Sequence, residues 1–356
     1  MEFKQDCAYD IVAPTSMGIR LTPVDHQPVE LARELCLQVT SAESNVLSTA
    51  AALGLSTKVL TAIVEGSPIA RRITNDLGRR NIAIDAKHVP QNGPWGYRHQ
   101  INFADSGYGM RAPSVHNDRA NEVGRLLRAE DFDLNRLFRQ DGVKILHLSG
   151  LFVALSDETA QFSLELARAA RSSGTKLSFD INYRASFWDG RNDELIHVFH
   201  ELATLADVLI GNEEDFQLAL GVPGPDTGGR DLNDQIATFQ QMIDSMQPDY
   251  PNAAVIATTL REVTSANEHL WGAVMKSDDW HVVTPRRIPV LDRIGGGDAF
   301  VGGLLYGLLK GWDHQDACHF GWANGAYVVT LLDDFSSPMS ESQIWSVWKG
   351  NARIRR

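Results

Sequence analysis

The chain has 356 residues, enough to bury a large core in one α/β domain or two smaller ones. Its 45 Asp and Glu against 33 Lys and Arg give a formal net charge of -12, which argues against nucleic acid or an anionic membrane as the main partner. Any anionic substrate must therefore be met by positive charge gathered locally. The cysteines Cys7, Cys36 and Cys318 are far apart with no CxxC spacing, as for reduced thiols of a cytosolic protein. No basic segment followed by an apolar one opens the chain, and no run approaches 18 apolar residues, so a cytoplasmic location is expected.

In chain order, residues 9–13, 18–22, 34–40 and 57–64 have strand character. So does 94–103, where Trp95, Tyr97, His99, Ile101 and Phe103 alternate with small or polar residues. That alternation suggests an antiparallel sheet covered on one face, and the segments near 15–40 and 94–116 together suggest a small lid beside a main sheet. Residues 143–149, 175–181, 207–210 and 253–258 are expected strands, and 157–172, 191–205, 213–220 and 233–247 expected helices. Strands alternating with crossover helices imply a mainly parallel sheet covered on both faces. The stretch 221–231, rich in Gly and Pro, is expected to be a loop, 270–275 with 280–284 a hairpin, and 298–310, 314–331 and 340–349 helices.

The most informative segment is 288–310, where an extended stretch meets Gly295, Gly296 and Gly297, then Asp298, then a helix. Three glycines let the backbone approach a ligand, and their N–H groups at a helix N-terminus can cradle an anion. Asp298 beside such a cradle can accept a proton from an attacking hydroxyl during phosphoryl transfer, or can simply cap the helix. The segment is neither GxxxxGK[ST] nor GxGxxG, so the usual mononucleotide and dinucleotide fingerprints are absent. No G-x-S-x-G elbow supports a serine hydrolase, and His197 and His200, three apart on an expected helix, have no partner at metal-ligand spacing.

Asp292 to Asp298 resembles the C-terminal signature D-T-x-G-A-G-D of the ribokinase/PfkB sugar kinases, in the D-R-x-G-G-G-D form of the 2-keto-3-deoxygluconate kinase branch. Three further segments resemble that branch in order and spacing: Asp180-Ile181-Asn182-Tyr183-Arg184, Ile210-Gly211-Asn212-Glu213-Glu214-Asp215 and Thr259-Leu260-Arg261-Glu262. The resemblance runs weakly over nearly the whole chain. It implies one ribokinase-like domain over 1–356: a three-layer α/β/α sandwich with a mainly parallel central sheet and a small β lid. It also implies an ATP-dependent kinase for a sugar or sugar acid, with Mg²⁺ as helper. Asp298 matches the catalytic base and Gly295, Gly296 and Gly297 the anion hole. Asn212 and Asp215 match the region that holds Mg²⁺ through water, Asn212, Thr259, Arg261 and Asn324 the nucleotide side, and Arg184 and Arg119 the sugar-acid contacts. Asp292 matches a residue that shapes the segment and in many relatives helps a monovalent cation such as K⁺ to bind through its backbone.

The departures fall in the N-terminal third. The first signature, usually G-G-A-x-x-N-V-A, reads Thr40-Ser41-Ala42-Glu43-Ser44-Asn45-Val46, so Thr40, Ser41 and Asn45 are expected on the floor of the sugar pocket. Gly93 to His99 differs from the usual G-x-Y-F and leaves Tyr97 as the aromatic sugar contact. These changes put the named sugar in doubt and leave the reaction type intact. Another sugar, or a non-catalytic sugar or nucleotide sensor on the same fold, are the alternatives, and a homodimer through the lid is the expected assembly.

Overall fold

The structure is a computed structural model that describes residues 1–226 and 231–352. A nine-stranded sheet holds, in chain order, β1 (Tyr9–Pro14), β4 (Thr57–Val64), β5 (Ile82–Val89), β8 (Val143–Ser149), β9 (Lys176–Asp180), β10 (Val208–Ile210), β11 (Val255–Ser265), β12 (Glu268–Lys276) and β13 (Trp280–Pro289). A separate four-stranded sheet holds β2 (Gly18–Pro23), β3 (Leu35–Thr40), β6 (Gln100–Ala104) and β7 (Val115–Asp118). The large sheet has spatial order β13-β12-β11-β10-β9-β8-β1-β4-β5, parallel from β11 to β5 and antiparallel across β11, β12 and β13.

Strands buried on both faces explain why their sequences read as continuous apolar runs. On β1, Ile11 and Ala13 join one core and Val12 the other; on β8, Ile145 faces one and Leu146 and Leu148 the other. One core is covered by α3 (Gly150–Val153), α4 (Asp157–Ser172), α6 (Asn192–Leu205), α7 (Glu213–Leu220) and α8 (Leu232–Met246), with the one-turn α5 (Ala185–Trp188) beside them. The other core is covered by α1 (Ala42–Ala52), α2 (Pro68–Arg79), α9 (Gly296–Leu309), α10 (His314–Val328) and α11 (Glu341–Trp348). The result is a helix–sheet–helix sandwich. No helix among the described residues is long and apolar enough to cross a membrane.

Four sequence expectations differ from the structure. The small sheet, expected to be antiparallel, is mixed, because β2 and β6 pair in parallel. The strand expected over 94–103 is confined to β6, because Gly93 (φ 82°), Pro94 and Gly96 bend the chain into a turn closed by the Tyr97 N–H to the Gln91 carbonyl. The aromatic alternation there comes from a turn followed by a strand. Helices α1 and α2 were not expected: α1 is buried almost all round and so lacks an amphipathic stripe, although α2 carries a readable start in Ser67 and Pro68, at its N-cap and first position. Strand β11 runs to Ser265, well past the expected end, because β12 continues the ladder beside it. The expected loop 221–231 lies partly outside the described residues.

Candidate active site

The carboxyl ends of β8, β9, β10 and β11 open into a cleft of about 590 Å³, within the range of small-molecule sites. Strands β8 and β1 are sheet neighbours although far apart in the chain, and crevices at the carboxyl ends of such switch points are the usual ligand sites of open α/β sheets. Asp180, Asn212, Thr259 and Arg261 line one wall; Gln100 and Asn102, two residues apart on β6 and so on one face of the small sheet, line another.

Helix α9 ends in this cleft. Its N-cap, Gly295, has φ 82°, and a Cβ there would collide with the Asp334 carbonyl, so both conformation and space require glycine. The first intrahelical bond is the Ala299 N–H to the Gly295 carbonyl (2.8 Å), so the N–H groups of Gly296, Gly297 and Asp298 precede the ladder at the positive end of the helix. Gly297 is exposed, with open space where a Cβ would project.

Asp298, on the first turn of α9, accepts a 2.8 Å hydrogen bond from Nδ2 of Asn45 on α1. Burial pushes its carboxyl up to about 7, against the pull of the Asn45 bond, and the negative charges of Glu43 and Asp334 add to the rise. A carboxyl near neutrality is well matched to accept and return a proton at physiological pH. Asp180 is raised well above the usual carboxylate range by burial and then by the charges of Asp215 and Asp298. Asp215 is pushed up to about 6, mainly by burial; its oxygens accept the Asn212 and Tyr183 N–H groups, both at 2.8 Å, while Asn212 Oδ1 accepts the Asp215 N–H. This reciprocal cap fixes the start of α7.

Opposite the acids stand Arg184, Arg261 and Arg293. Burial, then the neighbouring charge of Arg293, lowers the pKa of Arg261, and Arg184 acts in the same direction on both Arg261 and Arg293. Nε of Arg293 is buried with no hydrogen-bond partner among the described residues. Three mutually repelling guanidinium groups in a chain of net charge -12 form a local site for a polyanion. No group of three or more His, Cys, Asp or Glu forms a metal cage among the described residues. What suits a divalent cation is the crowding of Asp180, Asp215 and Asp298, whose repulsion a hydrated Mg²⁺ would relieve.

The remaining wall is rich in acceptors. Glu43 is buried, takes a 2.6 Å hydrogen bond from Thr15 through Oε2, and has no partner at Oε1 among the described residues. Gln100 Oε1, Asn102 Oδ1 and Asn45 Oδ1 are likewise buried without partners among the described residues. Unmatched buried acceptors are costly, and hydroxyl groups of a bound polyol would satisfy them.

The structure brings Asp298, Gly295, Gly297, Arg184, Arg119, Thr40, Ser41, Asn45, Asn212, Asp215, Thr259 and Arg261 to the cleft, with Gly296 buried behind it. Several are already engaged. Thr40 donates to Asp334 (2.7 Å), Ser41 caps α1 by accepting the Ser44 N–H (3.1 Å), and Arg119 pairs with Glu122 (2.7 Å), which neutralises its charge. Three expected residues lie elsewhere. Asn324 is fully buried, its amide donating to the Ala299 carbonyl and Thr49 and accepting from Ser336, so it ties α10 to α9 and α1 and does not line the cleft. Tyr97 packs half-buried against the core instead of lining the cleft. Asp292 is buried beneath the glycine turn, ion-paired with Arg20. Arg293, Asp180 and Glu43 line the cleft and were not expected as site residues, although all three stand inside the signature segments and their charge was the signal to follow.

Residues 42–337 match the description "pfkB family carbohydrate kinase". A 2-dehydro-3-deoxygalactonokinase of Haloferax volcanii is 26% identical over 321 residues, covering 89% of this chain and 90% of that protein. Among solved structures, the 2-dehydro-3-deoxygluconokinase of Thermotoga maritima superposes with a TM-score of 0.86 at 27% identity, covering 96% of this chain and 100% of that one. A ribokinase II of E. coli, solved with ATP and Mg²⁺, shares the fold with a TM-score of 0.76 at 17% identity, covering 96% and 99%.

Proposed function

The chain belongs to the pfkB family of carbohydrate kinases and is an ATP-dependent sugar kinase, and we propose that its acceptor is a 2-keto-3-deoxy sugar acid of the gluconate type. The observation that carries the sugar-acid reading is Arg184. It lines the cleft and donates to the Tyr183 carbonyl (2.6 Å), whereas Arg119, the other cation on the acceptor side, is matched by Glu122. A guanidinium fork suits a carboxylate through paired hydrogen bonds. The Haloferax volcanii and Thermotoga maritima relatives, named as kinases of 2-dehydro-3-deoxy sugar acids, support the same class.

In this reading the sugar hydroxyls satisfy the unmatched acceptors of Glu43, Gln100 and Asn102, which directs a primary hydroxyl towards Asp298. Asp298 takes the hydroxyl proton as the oxygen bonds to the γ-phosphorus. The bond from that phosphorus to the bridging oxygen breaks, and ADP leaves with the electron pair. The N–H groups of Gly296, Gly297 and Asp298 stabilise the transferring group, with no reorganisation needed at the moment of reaction. Arg261 and Arg293 hold the triphosphate. Mg²⁺, held through water near Asn212 and Asp215, would supply charge neutralisation to the phosphates. The four-stranded sheet acts as a lid that keeps water from taking the phosphoryl group. Leu35, Leu37 and Val115 leave apolar surface on its edge strands, which suits a homodimer through the lid.

Two substitutions test the two halves of the cleft. Arg184→Met should raise KM for a 2-keto-3-deoxy sugar acid about 10–100-fold, the loss of one charge-assisted contact, with little effect on neutral sugars. Steady-state rates over a panel of sugar acids and neutral sugars decide this, and a neutral sugar preferred by the unaltered enzyme sinks the assignment. Arg293→Ala should lower kcat/KM for ATP by about 10–100-fold while leaving KM for the sugar within a factor of about two. An equal loss for both substrates would remove Arg293 from the triphosphate side.

A further inference from the structure

Arg20 is among the most deeply buried large side chains of the protein, 2% exposed, on a lid strand far in sequence from the glycine turn. Its guanidinium forms ion pairs with two carboxylates, Asp292 and Asp334, themselves 3% and 2% exposed. Both lead to the anion cradle. Asp292 accepts the Ile294 N–H through Oδ1 (3.0 Å), one residue before Gly295, and the carbonyl of Asp334 is the group that leaves no room for a Cβ on Gly295. On its other side Arg20 donates to Thr22 (2.8 Å), Thr22 donates to Gln38 (2.8 Å), and Gln38 reaches the Leu332 carbonyl. Thr40 also binds Asp334. One cation thus joins the root of the lid, the segment 332–336 and the turn that opens α9.

A monovalent cation held through the Asp292 backbone fits this arrangement poorly, because the buried guanidinium already paired with that residue would repel a second positive charge beside it. We infer that Arg20 is the fixed cation of the anion cradle: a positioning residue that sets the glycine turn through Asp292 and Asp334 and stands where a diffusible monovalent cation would otherwise be needed. A guanidinium supplies two donors in a rigid fork, and so fixes two carboxylates and the backbone attached to each. Because the pairs are buried, removing the cation leaves two desolvated carboxylates facing one another, the costly case for buried ion pairs.

The test has one part that needs no turnover and one that rests on the kinase reading. Melting temperature is measured at constant ionic strength in KCl and in choline chloride, for the unaltered protein, Arg20→Ala and Asp334→Asn. The unaltered protein should melt within about 1 °C in the two salts. Arg20→Ala should melt about 5 °C or more lower in choline, and K⁺ or millimolar guanidinium should recover part of the loss. Asp334→Asn keeps the cation and one pair, and provides the reading if Arg20→Ala does not fold; it too should be insensitive to K⁺. In the kinase assay the unaltered enzyme should change less than twofold between the salts. Arg20→Ala should lose about 100-fold in kcat, the scale of a cradle displaced by about 1 Å, with a smaller change in KM for the sugar. Activation of the unaltered enzyme by K⁺ of tenfold or more, a K⁺-dependent rise in its melting temperature, or a folded Arg20→Ala of unchanged kcat overturns the inference. Absence of turnover on every sugar acid would count against the proposed acceptor and leaves the melting arms to decide about Arg20.

Discussion

Asp298→Asn should lower kcat by about 10²–10⁴-fold, the range of a lost general base, and the mutant should retain ATP binding. The asparagine keeps the size of the side chain but cannot take the hydroxyl proton. With the carboxyl pushed up to about 7, kcat/KM of the unaltered enzyme should rise with pH through an acid limb near that value and level off above it, since the ionised form is the active one. The mutant should lack that limb. The stability effect has the opposite sign. A folded-state pKa above that of an unfolded aspartate favours the folded protein fully at low pH, and this advantage is lost as pH rises through about 7. At pH 8 the asparagine variant should therefore melt no lower than the unaltered protein. Initial rates from pH 5.5 to 9, with melting curves at both ends, check both signs, and an acid limb that persists in the variant would assign the titration to another group.

Gly297→Ala and Gly295→Ala should separate function from folding. At Gly297 a Cβ projects into open space in the cleft, and alanine suits a first helical turn, so the protein should fold with unchanged or slightly higher stability. The methyl group would nevertheless occupy the mouth of the anion cradle, and kcat should fall about 10²–10³-fold, the scale of one lost oxyanion donor. At Gly295 the left-handed backbone and the Asp334 carbonyl both oppose a side chain, so that variant should lose stability as well as activity. Full activity in Gly297→Ala would mean that phosphate does not approach this turn.

How far the sequence carried depends on the range over which each feature acts. The glycine turn and Asp298 were readable because backbone freedom, helix start and acid sit within four residues. The parallel sheet was readable because strands such as β1 and β8 are apolar on both faces. Arg20 was not: on its strand it looks like a surface charge, and its meaning comes from carboxylates 272 and 314 residues away. Asn324 is the converse case. The resemblance put it on the nucleotide side, whereas helices α9 and α10 close over it, with Gly303 and Gly321 at their contact, and turn its amide into an internal tie. Thr40 and Ser41 line the cleft, yet their hydroxyls serve Asp334 and the cap of α1, facts that depend on partners rather than on composition.

The account turns on Asp298 meeting the acceptor hydroxyl at the mouth of α9. A crystal structure with a non-hydrolysable ATP analogue, Mg²⁺ and a 2-keto-3-deoxy sugar acid measures this directly. The expected result is a primary hydroxyl about 2.6–3.2 Å from an Asp298 carboxylate oxygen, in line with the γ-phosphorus, and γ-phosphate oxygens on the N–H groups of the glycine turn. A γ-phosphate bound away from that turn, or a sugar whose hydroxyls all lie beyond reach of Asp298 even through one water, would contradict it.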